Sequence, residues 1–272
     1  MHAFFQGLRP TLNIAHRGGA RCFPENTQVA FAGALAQGAH MLELDVHLSA
    51  DGEVVVAHDD TLDRCTDATG PLVALTAAQL AQVDAGFRFT PDGQHFPWRG
   101  RGVGIPRLAE VLQAHPDTRL NIELKTADPA LIPLFLQEIR RADALDRVCM
   151  GSEQDAVAFD LFAACPQGCH YAPRGPLTAW VMAAFTGQPR PRDGRFLVLD
   201  MPLDWQGVRL VTPGLLAAAA ADGLWVNVWT VDTLTDQAEL VRLGVGGVMT
   251  DRPDRLAGVL AGAQTGPEVE RT

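Results

Sequence analysis

Short apolar, β-branched runs alternate with helix-forming segments along almost the whole chain. The strand-like runs fall at 11–16, 41–48, 53–58, 119–125, 147–152, 168–172, 196–200, 224–230 and 246–250. Between them, Asn26 or Thr27 can cap a helix that carries Val29, Phe31 and Leu35 and stops at Gly38. Asp128-Pro129 and Thr212-Pro213 open further helices, and Thr233 or Thr235 precedes one that Gly244 closes. Strand–helix alternation demands parallel strands, because the helix is what carries the chain back to the same edge of the sheet. With 53–58 taken as one arm of a hairpin, eight runs remain, which predicts an α/β fold closed as a (β/α)8 barrel. A length of 272 residues suits this, since such barrels use about 250 residues as one domain.

The alternation breaks once, at about 60–118, where a Gly- and Arg-rich stretch (FTPDGQHFPWRGRGVG) separates two short helical segments. This is expected to be a small insertion after the second strand, lying over the rim where barrels build their active sites. Residues 1–262 are expected to form a single domain, and the polar 263–272 a flexible tail.

Charge narrows the function. With 22 basic against 32 acidic residues, the net charge is −10 and the pI near 5.2. Neither nucleic acid nor an anionic membrane is an expected partner, since both require a basic footprint. An anionic small-molecule substrate would instead need local cations. No apolar stretch reaches the length of a membrane span, so no stable membrane insertion is expected. The first residues show no signal-peptide pattern, and Cys22, Cys65, Cys149, Cys165 and Cys169 form no paired zinc spacing. A cytoplasmic location is expected, and nothing in the sequence specifies an oligomer.

The polar residues that interrupt the apolar runs carry the chemistry. If Asp51-Gly52 is a two-residue hairpin turn, Asp45 faces His58 and Glu43 lies diagonally on the same side. A slip of one residue would turn them to opposite faces. In 119–125, Asn121, Glu123 and Lys125 share one face while Ile122 and Leu124 take the other. Lys125 is the only lysine among 22 basic residues, which suggests that a compact ammonium is needed there. The bland alternative is a buried Glu123–Lys125 pair.

Glu43, Asp45 and Glu123 together would repel unless a cation sat among them. Oxygen-only ligands favour a hard divalent ion, Mg²⁺, Ca²⁺ or Mn²⁺, over zinc. His16 ends the first strand, and two histidines flanking a phosphate, His16 and His58, suit acid–base catalysis. Arg17 can grip phosphate oxygens and Lys125 can stabilise developing charge. His47 is read as structural, because it lies four positions along the strand from Glu43.

These residues stand in ordered motifs: His16-Arg17-Gly18, Pro24-Glu25-Asn26-Thr27, Glu43-x-Asp45, His58-Asp59, Glu123-x-Lys125, Trp229-Thr230-Val231-Asp232 and Thr250-Asp251-Arg252-Pro253. In this order they resemble the glycerophosphodiester phosphodiesterase family over about residues 12–258. The sequence departs from the family pattern at Asp232, usually Asn, and in the Gly19–Phe23 spacer between the first two motifs.

The resemblance implies a TIM barrel with a small insertion after the second strand. It also implies hydrolysis of glycerophosphodiesters to an alcohol and glycerol 3-phosphate with a divalent cation. His16 and His58 would then be the acid–base pair, and Glu43, Asp45 and Glu123 the metal ligands. Arg17, Lys125 and Trp229 would contact the phosphate or the glycerol end. Glu25 is left with two alternatives, holding the first loop or contacting the metal's water shell. One alternative is lysophospholipase D-like cleavage of lysophospholipids, possible through a cyclic phosphate, with Leu177, Trp180, Val181, Ala184 and Phe185 lining an acyl channel. Another is a non-catalytic phosphate-ester binding protein.

Overall fold

The computed structural model describes residues 2–264. Its strands are β1 (Leu12–Ala15), β2 (Met41–Leu48), β3 (Val54–Val56), β4 (Arg119–Leu124), β5 (Val148–Gly151), β6 (Cys169–His170), β7 (Val198–Pro202), β8 (Asp204–Trp205), β9 (Val208–Arg209), β10 (Trp225–Trp229) and β11 (Gly247–Thr250). The helices are α1 (Gln28–Ala36), α2 (Ala77–Leu80), α3 (Leu108–Ala114), α4 (Leu131–Arg141), α5 (Asp155–Ala164), α6 (Arg174–Thr186), α7 (Pro213–Asp222), α8 (Leu234–Leu243) and α9 (Pro253–Gln264).

A ladder of parallel strands runs β6-β5-β4-β2-β1-β11-β10-β7. One parallel bridge, Tyr171 to Val198, joins its two ends and closes the barrel. β3 is antiparallel to β2, and β8–β9 is a separate hairpin beyond β7.

Strand parity sorts the side chains into an inner and an outer layer. Leu12, Ile14, Met41, Cys149, Cys169, Tyr171, Val198 and Met249 fill the barrel interior, and Phe4 belongs to the same cluster. The alternate residues, such as Leu42, Leu44, Leu120, Ile122 and Val148, pack outward against the helices. Each barrel strand is followed by one outer helix, while α2 belongs to the segment between β3 and α3. That segment has a core of its own around Leu62, Leu72, Leu80, Val103 and Ile105, attached to the barrel through Val55 of β3. No helix among the described residues is long and apolar enough to cross a membrane.

The helix ends follow the expected chemistry. Thr27, Thr212 and Thr233 accept from the backbone N–H of Ala30, Leu215 and Asp236, and α7 and α8 stop at Gly223 and Gly244 in the left-handed region. α4 begins at Leu131 instead of directly after Pro129, because the Asp128 carboxylate first accepts the Ala130 N–H in a turn. Ala263 and Gln264, expected in the tail, continue α9; the remainder of that expected tail lies outside the described residues.

The hairpin register differs from the expected one by a single residue. Val46 pairs with Val56 and His47 with Val55. Ser49 N–H donates to Glu53 O and Gly52 has φ +79°, so the loop has three residues, Ala50–Gly52, with glycine at the left-handed position. This slip would turn His58 away from Asp45 if the ladder continued. It does not: β3 ends at Val56, and His58 lies in a bend beyond it.

The chain leaves β1 through a tight turn that needs glycine. Arg17 has φ +50°, Gly18 φ +80° and Gly19 φ +86°. A Cβ on Gly18 would stand 2.7 Å from the Ala30 Cβ, whereas one on Gly52 would meet nothing within 4 Å. Gly18→Ala is therefore expected to lose about 2–5 kcal/mol by urea unfolding, and Gly52→Ala only about 1 kcal/mol. Equal losses would place the cost in backbone conformation alone.

Candidate active site

The singled-out side chains project from the C-terminal ends of the barrel strands, inward by parity. β2 and β4 lie in register with Asp45 beside Glu123 and Glu43 beside Asn121. Lys125 Nζ stands between the upper pair, 3.3 Å from Glu123 Oε1 and 3.7 Å from Asp45 Oδ1. The lone lysine thus pairs with more than Glu123: its Nζ is also 3.3 Å from His58 Nε2. Glu43 belongs to the other side of the site, where its Oε2 accepts the Arg17 backbone N–H at 2.8 Å. The expected diagonal contact of Glu43 with His58 is replaced by this one, which comes from the loop after β1.

These carboxylates are short of positive charge. Burial, reinforced by Asp45, pushes Glu43 up to about 8 despite His16 and Arg17 nearby. Burial likewise raises Glu123 to about 7, against the pull of Lys125. Among the described residues no three His, Cys, Asp or Glu side chains converge as a metal-holding group. Lys125 separates Asp45 from Glu123, and Arg17 reaches both Glu43 and, through Nε at 3.5 Å, Asp45. In donor chemistry the set still fits a hard cation, being oxygen-only, buried and charge-starved. Arg17 Nε is buried and makes no hydrogen bond among the described residues, its one carboxylate neighbour, Asp45, standing at 3.5 Å.

Each histidine is held at Nδ1 by its own aspartate. His16 Nδ1 lies 2.7 Å from Asp251 Oδ1, and His58 Nδ1 2.6 Å from Asp59 Oδ1. An ionised carboxylate only accepts, so each Nδ1 carries the proton and Nε2 is the other ring nitrogen, which at His58 faces Lys125 Nζ. The two environments differ. Burial disfavours the His16 imidazolium, but Asp251 and Glu43 outweigh it and the pKa is raised. For His58 burial prevails, helped by Arg17 and Lys125, and the pKa is lowered. His47 Nε2 donates to the His58 carbonyl at 3.1 Å and so fixes the bend, in keeping with its structural reading.

Around these groups lies a supporting layer, in which Glu25 holds the first loop, one of its two expected roles. Asn26 Nδ2 donates to Asp45 Oδ2 at 3.0 Å, and its backbone N–H to Arg17 O, tying the second motif to the first. Glu25 accepts from Arg17 Nη1 at 3.0 Å and, through both oxygens, from Arg64. The two departures from the family pattern meet: Arg21 Nε is 3.0 Å from Asp232 Oδ2, while Asp232 Oδ1 accepts the Asp251 N–H at 2.9 Å. Trp229 ends β10 on the inward face with Trp225 and Asn227, half-buried at the top of the interior cluster. Asp59 and Asp251 were visible as members of the His58-Asp59 and Thr250-Asp251 motifs; Arg64 had no signal beyond its place in the insertion.

Barrel and rim suit a phosphoric diester hydrolase, the class that the comparisons with known proteins show. Within that class the chain belongs to the glycerophosphoryl diester phosphodiesterase family, whose model matches residues 16–255. It is 31% identical over 254 residues to a glycerophosphodiester phosphodiesterase of Caldanaerobacter subterraneus subsp. tengcongensis, covering 90% of this chain and 96% of that one. It is 28% identical over 273 residues to the human lysophospholipase D GDPD1, covering 90% of this chain and 84% of that one. Its fold matches the crystal structure of the glycerophosphoryl diester phosphodiesterase domain of a Mycobacterium tuberculosis protein with a TM-score of 0.79 at 26% identity, over 92% and 98% of the two chains.

Glu25 offers a test of the rim electrostatics. Burial alone would raise its pKa, but Arg64 and Arg17 hold it down at about 2, from an ordinary 4.5. A depressed carboxyl stabilises the fold above its unfolded pKa, and that contribution fades as the pH falls towards the folded value. Glu25→Gln is expected to cost about 2 kcal/mol in urea unfolding at pH 7, allowing for the half-exposed Arg64, with the loss shrinking from about pH 4.5 towards pH 2. A pH-independent loss would contradict the ion-pair account.

Proposed function

We propose that the chain hydrolyses glycerophosphodiesters to an alcohol and glycerol 3-phosphate. The observation that carries this reading is the pair of imidazoles, each fixed at Nδ1 by its own aspartate, beside Arg17 and Lys125 on a carboxylate-lined rim. Arg17 and Lys125 bind non-bridging phosphate oxygens. His58, kept neutral by burial, takes the proton of the attacking oxygen at Nε2. His16, whose imidazolium Asp251 and Glu43 stabilise against burial, delivers a proton from Nε2 to the departing alcohol. The attacking oxygen is that of water or of the glycerol hydroxyl next to the phosphate, the second giving a cyclic phosphate that water then opens. Glu43, Asp45 and Glu123 would hold one divalent cation, Mg²⁺ or Ca²⁺, with Mn²⁺ sharing the same donor preference. When bound, the ion supplies positive charge to the phosphate oxygens. Trp229 flanks the substrate from β10.

A small polar alcohol fits this site better than an acyl chain. The cavity of about 690 Å³ that adjoins Glu123 and Lys125 is walled by Glu153, Gln154, Arg174 and Thr178. The residues considered for an acyl channel lie elsewhere: Trp180 and Val181 are buried, Leu177 and Ala184 pack against the same core between α6 and the barrel, and Phe185 is exposed.

Phosphorus NMR of reactions with glycerophosphocholine and lysophosphatidylcholine, each with and without a chelator, tests the proposal. Glycerol 3-phosphate from the first substrate, suppressed by chelation, is expected, together with a bell-shaped pH profile of kcat/KM. The rising limb belongs to His58 losing its proton, below the ordinary imidazole value, and the falling limb to His16, above it. His16→Ala and His58→Ala are each expected to lower kcat about a hundred- to ten-thousand-fold with folding intact. Turnover of the lysolipid alone would establish the lipid-cleaving reading, and binding without turnover a non-catalytic protein.

A further inference from the structure

His58 and Asp59 sit in a bend, not a strand, and a bend does not by itself hold an imidazole to fractions of an ångström. The group that pins them comes from the segment beyond β3. Arg64 donates from Nε to Asp59 Oδ2 at 2.6 Å and from Nη2 to Asp59 Oδ1 at 3.2 Å. Its other edge reaches Glu25, Nη1 to Oε2 at 2.7 Å and Nη2 to Oε1 at 2.8 Å. Glu25 in turn accepts from Arg17, and Asp59 from His58. A continuous chain therefore runs Arg17–Glu25–Arg64–Asp59–His58, joining the loop after β1 to the bend after β3.

We propose that Arg64 is a positioning residue for catalysis: its planar fork clamps Asp59 against Glu25, and so fixes the Nδ1-protonated orientation of His58 relative to Arg17. The inference rests on the diesterase reading of the same site. Two features favour it over simple charge compensation. Both Asp59 oxygens are engaged by the guanidinium, so the carboxylate cannot rotate without breaking two charge-assisted bonds. One guanidinium also serves two carboxylates from different loops, through donors whose spacing is fixed. A lysine ammonium could supply the charge but not both bidentate contacts. The side chain is half-exposed, so its worth lies in geometry more than in stability.

The test compares wild type, Arg64→Ala, Arg64→Lys, Asp59→Ala and the Arg64→Ala/Asp59→Ala double variant on glycerophosphocholine, with circular dichroism confirming the fold of each. Arg64→Ala is expected to lower kcat about ten- to a hundredfold and to change KM less than about threefold, because it acts through the proton-transfer group. Arg64→Lys should recover less than a tenth of the lost rate. In the Asp59→Ala background the Arg64→Ala change should cost less than about twofold, since its route to His58 is already cut.

Nitrogen-15 NMR of the histidine side chains supplies a readout that needs no turnover. His58 should be the Nδ1-protonated tautomer in the wild type and a mixture in Arg64→Ala. Full rescue by lysine, rate losses that multiply in the double variant, or an unchanged His58 tautomer would each overturn the proposal. If the wild type hydrolysed no phosphodiester, the functional reading would fail, and the tautomer would still decide the clamp. Should Arg64→Ala not fold, Arg64→Lys carries both readouts.

Discussion

The structure turns on the cost of carboxylates aimed into a barrel. Asp45 and Glu123 are neighbours across two parallel strands, with Glu43 one inward position below Asp45, and burial makes their charges expensive. Parity forces them inward, since the alternate residues Leu44, Val46, Ile122 and Leu124 form the outer core. Moving them outward would require shifting the strand register and exposing that core. The remaining design is a response to this charge: Lys125 between Asp45 and Glu123, the Arg17 backbone on Glu43, and the Arg17 guanidinium reaching Asp45. Neither Glu43 nor Glu123 is brought back to an ordinary carboxylate by these partners. That residual demand is what supports the proposed cation.

The two imidazoles proposed for proton transfer follow a second rule, that a histidine used in this way must be held by its other nitrogen. Both are, but from different directions. Asp251 follows β11, next to β1, and its own backbone is anchored by Asp232, which Arg21 in turn engages. Asp59 follows β3 and depends on Arg64 and Glu25. One histidine is thus supported across the barrel ladder and the other by the inserted segment, which links that insertion to the chemistry.

Much of this was legible from the sequence, because barrel periodicity is a local signal. The strand runs, the threonine caps and the shared face of Asn121, Glu123 and Lys125 follow from alternation and capping alone. The hairpin was misjudged by one residue, because Asp51-Gly52 suits a two-residue turn and a three-residue loop equally well on local grounds. What seats Ala50 in the loop includes contacts made at a distance: Ala50 N–H donates to Leu75 O, and Asp51 accepts the Ala77 N–H. A hold on the first loop by Glu25 was among the expectations, but the contact between Glu25 and Arg64 was out of reach for a similar reason. Their contact joins two loops 39 residues apart, and no periodicity records it.

The claim that the inward carboxylates await a cation is tested most directly by titration calorimetry with Mg²⁺ or Ca²⁺ in buffers of different ionisation enthalpy. With burial holding Glu43 and Glu123 above the ordinary carboxylate range, binding at neutral pH should release protons. The affinity should rise between pH 6 and 8, and Glu43→Gln or Glu123→Gln should weaken binding and reduce the release. Cation binding without proton release, or binding untouched by either substitution, would contradict the account.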